Sequence, residues 1–203
     1  MVHRDPLEPD RGGVLSPLSV WVKDTLGHAP RDEKLFVRAL THSSRTNAFG
    51  DANYERLEFL GDRVLGLVMA EWLSEEFPDE SEGQLTKRFN TLVTGATCAA
   101  VAREMGAEPH VRLGKQGRDD GIHRFDTVLG DVMEALLGAL YLERGLEVAR
   151  GTIRNLWASR IRAATAVPQH PKSALQEWAL ANRRKMPSYE LVERTGPDHA
   201  PRL

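Results

Sequence analysis

The 203-residue sequence contains little of what marks a secreted or membrane-bound protein. It has one cysteine, Cys98, so it cannot form an intrachain disulfide, and this absence fits a reducing cytoplasm. It has no apolar run long enough to cross a membrane. Its first residues, 1–13, carry charges, prolines and glycines in place of the apolar segment of a signal peptide. The sequence therefore predicts a cytoplasmic protein with no membrane contact and no disulfide framework.

The sequence also lacks the excess of basic residues that is typical of many nucleic-acid-binding domains. Its formal net charge is −2 at pH 7, which by itself is a weak argument against a nucleic-acid partner. This balance misleads if several acidic side chains hold a metal ion, because a metal-filled acidic site attracts phosphate although the bare carboxylates repel it. Composition leaves the question open, and the motifs must decide it.

The most informative motif is an acidic run at the start of a predicted helix, residues 54–62. Glu55, Glu58 and Asp62 are spaced by three and four residues, so on a helix they stack on one face. The opposite side carries an apolar stripe formed by Leu57, Leu60, Val64 and Val68. Stacked carboxylates repel one another, and a divalent cation is the simplest compensation. The alternative is the solvated face of a surface helix.

A second acidic pair lies in residues 128–141, a segment that is apolar nearly all round and is therefore predicted to be a buried helix. Asp131 and Glu134 lie one turn apart on it, and Gly138 leaves room one turn further along the same side. Buried carboxylates without partners are costly, so they pair with a cation or bind metal. The alternative to a metal is a structural ion pair with Arg56 or Arg88.

Helical periodicity and end signals predict an all-α domain before residue 164. The predicted helices cover about residues 16–27, 31–42, 54–77, 81–92, 94–105, 123–142 and 145–161. Ser16-Pro17 and the Ser81/Gln84 capping box mark two of the helix starts. Residues 107–122 are predicted to form a loop, and no alternating strand is evident before residue 185.

Four segments together resemble the ribonuclease III family over roughly residues 15–203. Residues 54–62 resemble its signature, an asparagine followed by Glu-Arg-Leu-Glu-Phe-Leu-Gly-Asp; eight of nine positions match, and Tyr54 replaces the asparagine. Residues 128–141 resemble the family's other acidic helix, and residues 81–88 its segment around a further functional glutamate. Residues 39–44 resemble its Ala-Leu-Thr-His-Arg-Ser segment, with Ser43 in the arginine position.

The resemblance implies a ribonuclease III-type helical endonuclease domain with a metal-dependent acidic site, and it assigns roles to matching positions. Glu58, Asp131 and Glu134 would ligate Mg²⁺, for which Mn²⁺ could substitute, with no organic cofactor. Asp62 and Glu134 would be the residues most directly needed for hydrolysis. Glu55 and Glu82 would assist substrate or metal handling. All six carboxylates are present, so the implied catalytic set is intact.

The implied substrate is double-stranded RNA, cut to leave 5′-phosphates and short 3′ overhangs during rRNA, mRNA and tRNA precursor processing. The implied assembly is a homodimer in which each protomer cuts one strand. Phe59 supports the dimer because it lies off the apolar stripe, and the matching family residue packs into the partner's socket. The alternative is a partly exposed phenylalanine covered by a neighbouring loop. A non-enzymatic duplex-RNA-binding protein is the main rival function.

The expected organisation has four parts. Residues 1–13 are expected to form a flexible tail, 14–163 the catalytic domain, 164–171 a linker, and 172–203 a truncated double-stranded-RNA-binding domain. That last part should hold only the first helix, near Leu175, and the first strand, residues 187–193, of an α+β domain. The alternative for it is a plain tail helix.

Overall fold

The computed structural model describes residues 15–45, 53–163, 175–176, 178–180 and 182–188. The chain divides into two compact units, Met1–Ala164 and Thr165–Leu203. The α-helices described in the first unit are α1 Pro17–Leu26, α2 Glu33–Ala39, α3 Glu55–Glu76, α4 Glu82–Leu92, α5 Gly95–Glu104, α6 Lys115–Asp119, α7 Asp126–Arg144 and α8 Leu146–Ala163. Short 3₁₀ turns lie at Ser43–Arg45, Glu108–His110 and Ile122–Arg124. The all-α class of this unit is confirmed.

Local sequence explains where the helices begin and end. The Ser16 hydroxyl accepts a hydrogen bond from the Ser19 N–H at 3.1 Å, and Pro17 opens α1. Gly27 ends α1 in the left-handed region at φ 79°, where a side chain would be strained. The Ser81 N–H donates to Gln84 Oε1 at 2.9 Å, as expected for the predicted capping box.

Helix α7 lies at the centre of the unit. Its residues from Val128 to Leu140 are buried, apart from the half-buried Asp131 and Glu134. It packs most extensively against α3 and α5, and also against α8 and α2. A helix that is apolar nearly all round needs neighbours on every side, and α7 has them. The prediction of a buried helix with two acids is therefore confirmed.

Several predicted boundaries were wrong for reasons of tertiary structure. Helix α2 covers Glu33–Ala39 and stops before the predicted His42, because Thr41 forms an isolated bridge with Arg112. The Arg112 N–H donates to the Leu40 carbonyl at 2.7 Å, and the His42 N–H donates to the Arg112 carbonyl at 3.0 Å. These contacts join positions 70 or more residues apart, so local periodicity could not predict them.

The predicted loop 107–122 contains the short helix α6, and α7 begins at Asp126, after the predicted His123. Helix α6 carries Gly117 and lacks a helical apolar stripe, so its sequence gives little helix signal. It forms beside the Ser43–Arg45 turn, where a Cβ on Gly117 would come within 3.2 Å of the Ser44 hydroxyl. Packing, which a sequence window does not contain, decides this segment.

In the second unit, residues 175–176 and 178–180 are helical. The helix ends in a turn in which the Asn182 N–H donates to the Trp178 carbonyl at 3.0 Å. Of the predicted strand, Pro187 and Ser188 are not in a strand, and residues 189–193 lie outside the described residues. No helix in the part of the chain that the structure describes is long and apolar enough to cross a membrane.

Candidate active site

Two glycines bring the acidic helices into backbone contact. A Cβ placed on Gly61 of α3 would lie 1.7 Å from the Glu134 carbonyl oxygen. A Cβ placed on Gly138 of α7 would lie 2.2 Å from the Leu57 carbonyl oxygen. Only glycine fits at either position, so α3 and α7 cross much closer than side chains would otherwise permit. The sequence indicated room at Gly138, and the structure adds the complementary role of Gly61.

The crossing brings together four carboxylates: Glu58 and Asp62 from α3, and Asp131 and Glu134 from α7. Burial and the negative charges of the other three raise the pKa of Glu134 to about 7. Burial and the neighbouring Asp131 charge also raise the pKa of Glu58. Tyr54, which immediately precedes α3, and Asp131 of α7 are 77 residues apart in the sequence. Two helices that are distant along the chain therefore form one shared acidic site.

Three of these acids also have a partner outside the group. The Tyr54 hydroxyl donates to Asp131 Oδ2 at 3.0 Å, and Arg63 donates to Asp62 at 2.8 Å. The buried Cys98 thiol donates to Glu134, and this contact offsets part of the rise in the pKa of Glu134. Burial and the Glu134 charge in turn raise the pKa of the Cys98 thiol. Sequence reasoning treated Cys98 as a small core residue and missed its contact with Glu134.

The other two predicted acids lie apart from the four. Glu55 is exposed in the first turn of α3, although its charge contributes to the raised pKa of Glu58. Glu82 is exposed at the start of α4, where it accepts a hydrogen bond from the Thr86 hydroxyl at 3.0 Å. The chain thus brings together four of the six predicted carboxylates.

The ion-pair alternative for the buried acids is not what the structure contains. Arg88 donates to Glu80 at 2.6 Å, and Arg56 is exposed. Within the described residues, neither Asp131 nor Glu134 forms an ion pair with a basic side chain. The tyrosine and thiol donors do not neutralise the charge, so the acidic character of the site persists.

The donor set suits a hard divalent cation, since it consists of carboxylate oxygens. In their present rotamers, no three His, Cys, Asp or Glu side chains in the described parts of the chain are arranged to hold a metal ion. The raised pKa of Glu134 is nevertheless a sign of unrelieved repulsion among neighbouring acids. A cation would relieve that repulsion, so the residues fit a metal in their chemistry.

Comparison with known proteins matches the same segments. The family described as Ribonuclease-III-like matches residues 32–161, and the double-stranded RNA binding motif matches residues 171–203. The chain belongs to the ribonuclease III family. Ribonuclease 3 of Zymomonas mobilis is 55% identical over 181 residues, which cover 89% of this chain and 72% of that protein. Ribonuclease 3 of Rhodobacter capsulatus is 49% identical over 190 residues, covering 94% and 82% respectively.

The fold comparison agrees. The nuclease domain of ribonuclease III from Campylobacter jejuni has a TM-score of 0.66 and 32% sequence identity, covering 70% of this chain and 97% of that one. Dicer from Pichia stipitis has a TM-score of 0.53 and 28% identity, covering 74% and 67%. The chain is a ribonuclease III enzyme, an endoribonuclease of double-stranded RNA, as the resemblance implied.

One surface of this ribonuclease III unit is strongly basic. An open groove of about 590 Å³ lies between the 107–125 segment and the Ser43–Arg45 turn. Its lining includes four arginines and two histidines: Arg45, Arg112, Arg118, Arg124, His110 and His123. Its one acidic lining residue, Glu108, pairs with Arg103 at 3.4 Å. The net charge of −2 therefore conceals a local concentration of positive charge.

This groove adjoins the acidic site through a short chain of contacts. Arg112 is joined by its backbone to His42, and the His42 ring meets the Tyr54 ring edge-on, with centroids 5.6 Å apart. Tyr54 in turn donates to Asp131. Burial lowers the pKa of His42, although the charges of Asp131 and Glu55 oppose this effect. Two side chains thus separate the wall of the groove from the carboxylates.

Phe59 is the most prominent apolar group beside the acids. It is 63% exposed, and the Arg63 guanidinium lies 3.9 Å from its ring centroid. Leu67, two turns further along α3, is 57% exposed. Among the described residues, no loop covers the Phe59 ring.

Proposed function

We propose that Glu58, Asp131 and Glu134 hold Mg²⁺ at the α3–α7 crossing, and that this site hydrolyses the RNA phosphodiester bond. The observation that carries the proposal is the convergence of four acids across the Gly61–Gly138 contact. Mn²⁺, another hard ion that accepts oxygen ligands, is expected to substitute. Glu55 and Glu82 lie outside the group of four carboxylates, and we propose that they assist by contacting RNA or a second protomer.

The residues have separable tasks in this proposal. The chemistry that the bound ion supplies is neutralisation of the phosphate and activation of water. Glu58, Asp131 and Glu134 anchor it from two helices, so its position depends on the rigid crossing. Asp62, whose side chain is 47% exposed, orients the attacking water through the carboxylate oxygen that Arg63 does not occupy. Cleavage is proposed to leave 5′-phosphates and short 3′ overhangs.

The test is cleavage of a long RNA duplex with Mg²⁺ or with EDTA, by wild type and by the Asp62→Asn and Glu134→Gln variants. Each variant should lose roughly a thousand-fold or more in rate, because several kcal/mol of transition-state stabilisation disappear. Glu76→Gln, an exposed acid at the end of α3, and Asp79→Asn in the following turn are matched controls. Near-normal cleavage by Glu134→Gln would overturn the assignment, and binding without any metal-dependent cleavage would favour the non-enzymatic rival.

We further propose that the basic groove binds the phosphate backbone of the RNA beside the acidic site. Arg112 and Arg118 face this groove without an ion-pair partner among the described residues, so their charges are available to phosphate. Duplex RNA is bound mainly through its shape, phosphates and 2′-hydroxyls, which suits an open basic groove more than a base-reading pocket. The contact chain through His42 and Tyr54 links the groove to Asp131.

Salt dependence of RNA binding tests the groove. The Arg112→Ala/Arg118→Ala variant should bind duplex RNA more weakly, with a log–log salt slope about two units shallower, since each phosphate contact contributes about one. Lys23→Ala, an exposed charge on α1, is the control and should leave the slope unchanged. An unchanged slope in the double variant would exclude the groove from RNA binding.

The exposed Phe59 supports a homodimer as the working assembly. The structure of the Campylobacter jejuni nuclease domain concerns flexibility in a region involved in dimer formation. We propose that this chain also dimerises, so that two acidic sites act on the two RNA strands.

The four-part organisation is also a proposal, with a tail at 1–13, a catalytic domain at 14–163, a linker at 164–171 and an RNA-binding segment at 172–203. We likewise propose a cytoplasmic location and the processing of rRNA, mRNA and tRNA precursors.

A further inference from the structure

Tyr54 occupies a fixed position at the edge of the acidic site. It immediately precedes α3 and is 4% exposed. Its N–H donates to the Thr41 carbonyl at 3.0 Å, and its ring meets the His42 ring edge-on. His42 is itself held, because its N–H donates to Arg112 and its Nδ1 accepts from the Ser44 N–H at 2.9 Å. The tyrosine ring therefore has little freedom to move.

The hydroxyl at the end of this ring has a single described acceptor. It donates to Asp131 Oδ2 at 3.0 Å, and within the described residues this is the hydrogen bond that the Asp131 side chain makes. A buried tyrosine hydroxyl requires a partner, and a carboxylate that accepts at one oxygen keeps its other oxygen for a further ligand. The contact restricts the rotation of the Asp131 carboxylate without occupying both of its oxygens.

We infer that Tyr54 is a positioning residue whose hydroxyl orients the Asp131 carboxylate for metal binding. The inference rests on the proposed function, in which Asp131 is a metal ligand. Residues that do not touch a metal ion can orient its ligands by hydrogen bonding to them. Loss of such a hydrogen bond typically weakens metal affinity or activity by about 10–100-fold. Tyr54 stands where the family signature has asparagine, so this tyrosine contact belongs to the sequence of this chain and not to the signature itself.

The experiment measures metal binding without RNA. Mn²⁺ is titrated calorimetrically into wild type, Tyr54→Phe and the control Tyr141→Phe, which makes the same chemical change on α7, two turns beyond Glu134. Tyr54→Phe should bind Mn²⁺ about 10–100-fold more weakly, while Tyr141→Phe binds as wild type does. In cleavage assays, the Mg²⁺ concentration for half-maximal rate should rise by the same factor for Tyr54→Phe, with kcat at saturating Mg²⁺ close to wild type.

A second comparison tests whether Tyr54 acts through Asp131. If it does, Tyr54→Phe/Asp131→Asn should bind Mn²⁺ no more weakly than Asp131→Asn alone. Equal Mn²⁺ affinity of Tyr54→Phe and wild type would overturn this inference while leaving the proposed function intact. Loss of the native helical circular-dichroism signal in Tyr54→Phe would also overturn it, since the hydroxyl would then serve the fold. A folded wild-type protein that neither binds Mn²⁺ nor cleaves RNA would instead overturn the proposed function itself.

Discussion

Among the acids, Glu134 has the surroundings that most disfavour its charged form. It lies on a buried helix and faces Asp62, Glu58 and Asp131. Its partner outside the acids is the thiol of Cys98, a neutral donor that relieves little of the repulsion. Natural sequences accept such local destabilisation at functional sites. A single residue therefore marks the candidate site: Glu134, whose surroundings raise the pKa of its carboxyl group.

The pH dependence of stability tests this description in the metal-free protein. The pKa of Glu134 is about 7 in the fold against 4.5 for an ordinary glutamate, so the folded state holds an extra proton between these values. Stability from this source is therefore present below about pH 4.5 and is lost as the pH rises through about 7. Glu134→Gln removes that loss, so its advantage over wild type should grow across this interval.

Chemical denaturation in EDTA at several pH values measures the difference. A shift from 4.5 to about 7 corresponds to at most about 3.5 kcal/mol, since one pKa unit is about 1.4 kcal/mol. Comparing variant with wild type cancels the opposite effects of Glu33, Glu80 and Glu104, whose pKa values hydrogen bonds lower. A difference that does not vary with pH would show that Glu134 titrates normally.

At the scale of elements, the site depends on how closely α3 and α7 cross. The sequence predicted both helices and the acidic face of each, but the contact between them is made by backbone at Gly61 and Gly138. The atoms that face each glycine are backbone carbonyl groups in helices and not mobile side chains. They cannot move aside to make room for a side chain.

Gly138→Ala should therefore be strongly destabilising. The added methyl group would lie 2.2 Å from the Leu57 carbonyl oxygen, so the helices must separate. A cost of about 3 kcal/mol or more is expected, at the upper end of overpacking costs. Separation should also reduce cleavage beyond the loss of folded protein, because the acids on the two helices move apart. Thermal and urea unfolding measure the first effect, and assays on folded protein the second.

Gly151→Ala is the matched control, because a Cβ at Gly151 of α8 meets no atom within 4 Å. It should stabilise the protein by about 0.5–1 kcal/mol, as alanine favours a helix interior over glycine. Opposite signs for the two substitutions would attribute the Gly138 effect to the crossing. Equal effects would mean that helix propensity, and not the contact, determines both.

At the scale of the whole molecule, the exposed Phe59 predicts self-association. A wild-type dimer should be weakened by Phe59→Ala, because truncating a buried aromatic anchor costs about 2–4 kcal/mol at an interface. The dissociation constant should rise roughly 30-fold to several-hundred-fold. Sedimentation velocity over a range of protein concentrations measures it, and Leu142→Ala, which truncates another exposed apolar side chain, is the control. A wild-type monomer at high micromolar concentration would refute the dimer.

Local sequence was enough to predict every described α-helix of the first unit except the short α6, together with the Ser16 and Ser81 caps and the acidic positions, although several helix ends differ. These follow from local rules: an apolar residue every three or four positions, a serine cap before a proline, and acids one turn apart. For the same reason, the motif at residues 54–62 was enough to predict the family, which the comparisons confirm.

Packing between distant segments sets which groups meet. The bridge between Thr41 and Arg112, the Tyr54 contact to Asp131, and the thiol of Cys98 against Glu134 each join distant segments. No window of sequence contains such a pair, because the distance between the two partners is set by how helices pack and not by chain spacing. The basic groove was invisible for the same reason, since its arginines are scattered from Arg45 to Arg124 and gather only when the turns fold together.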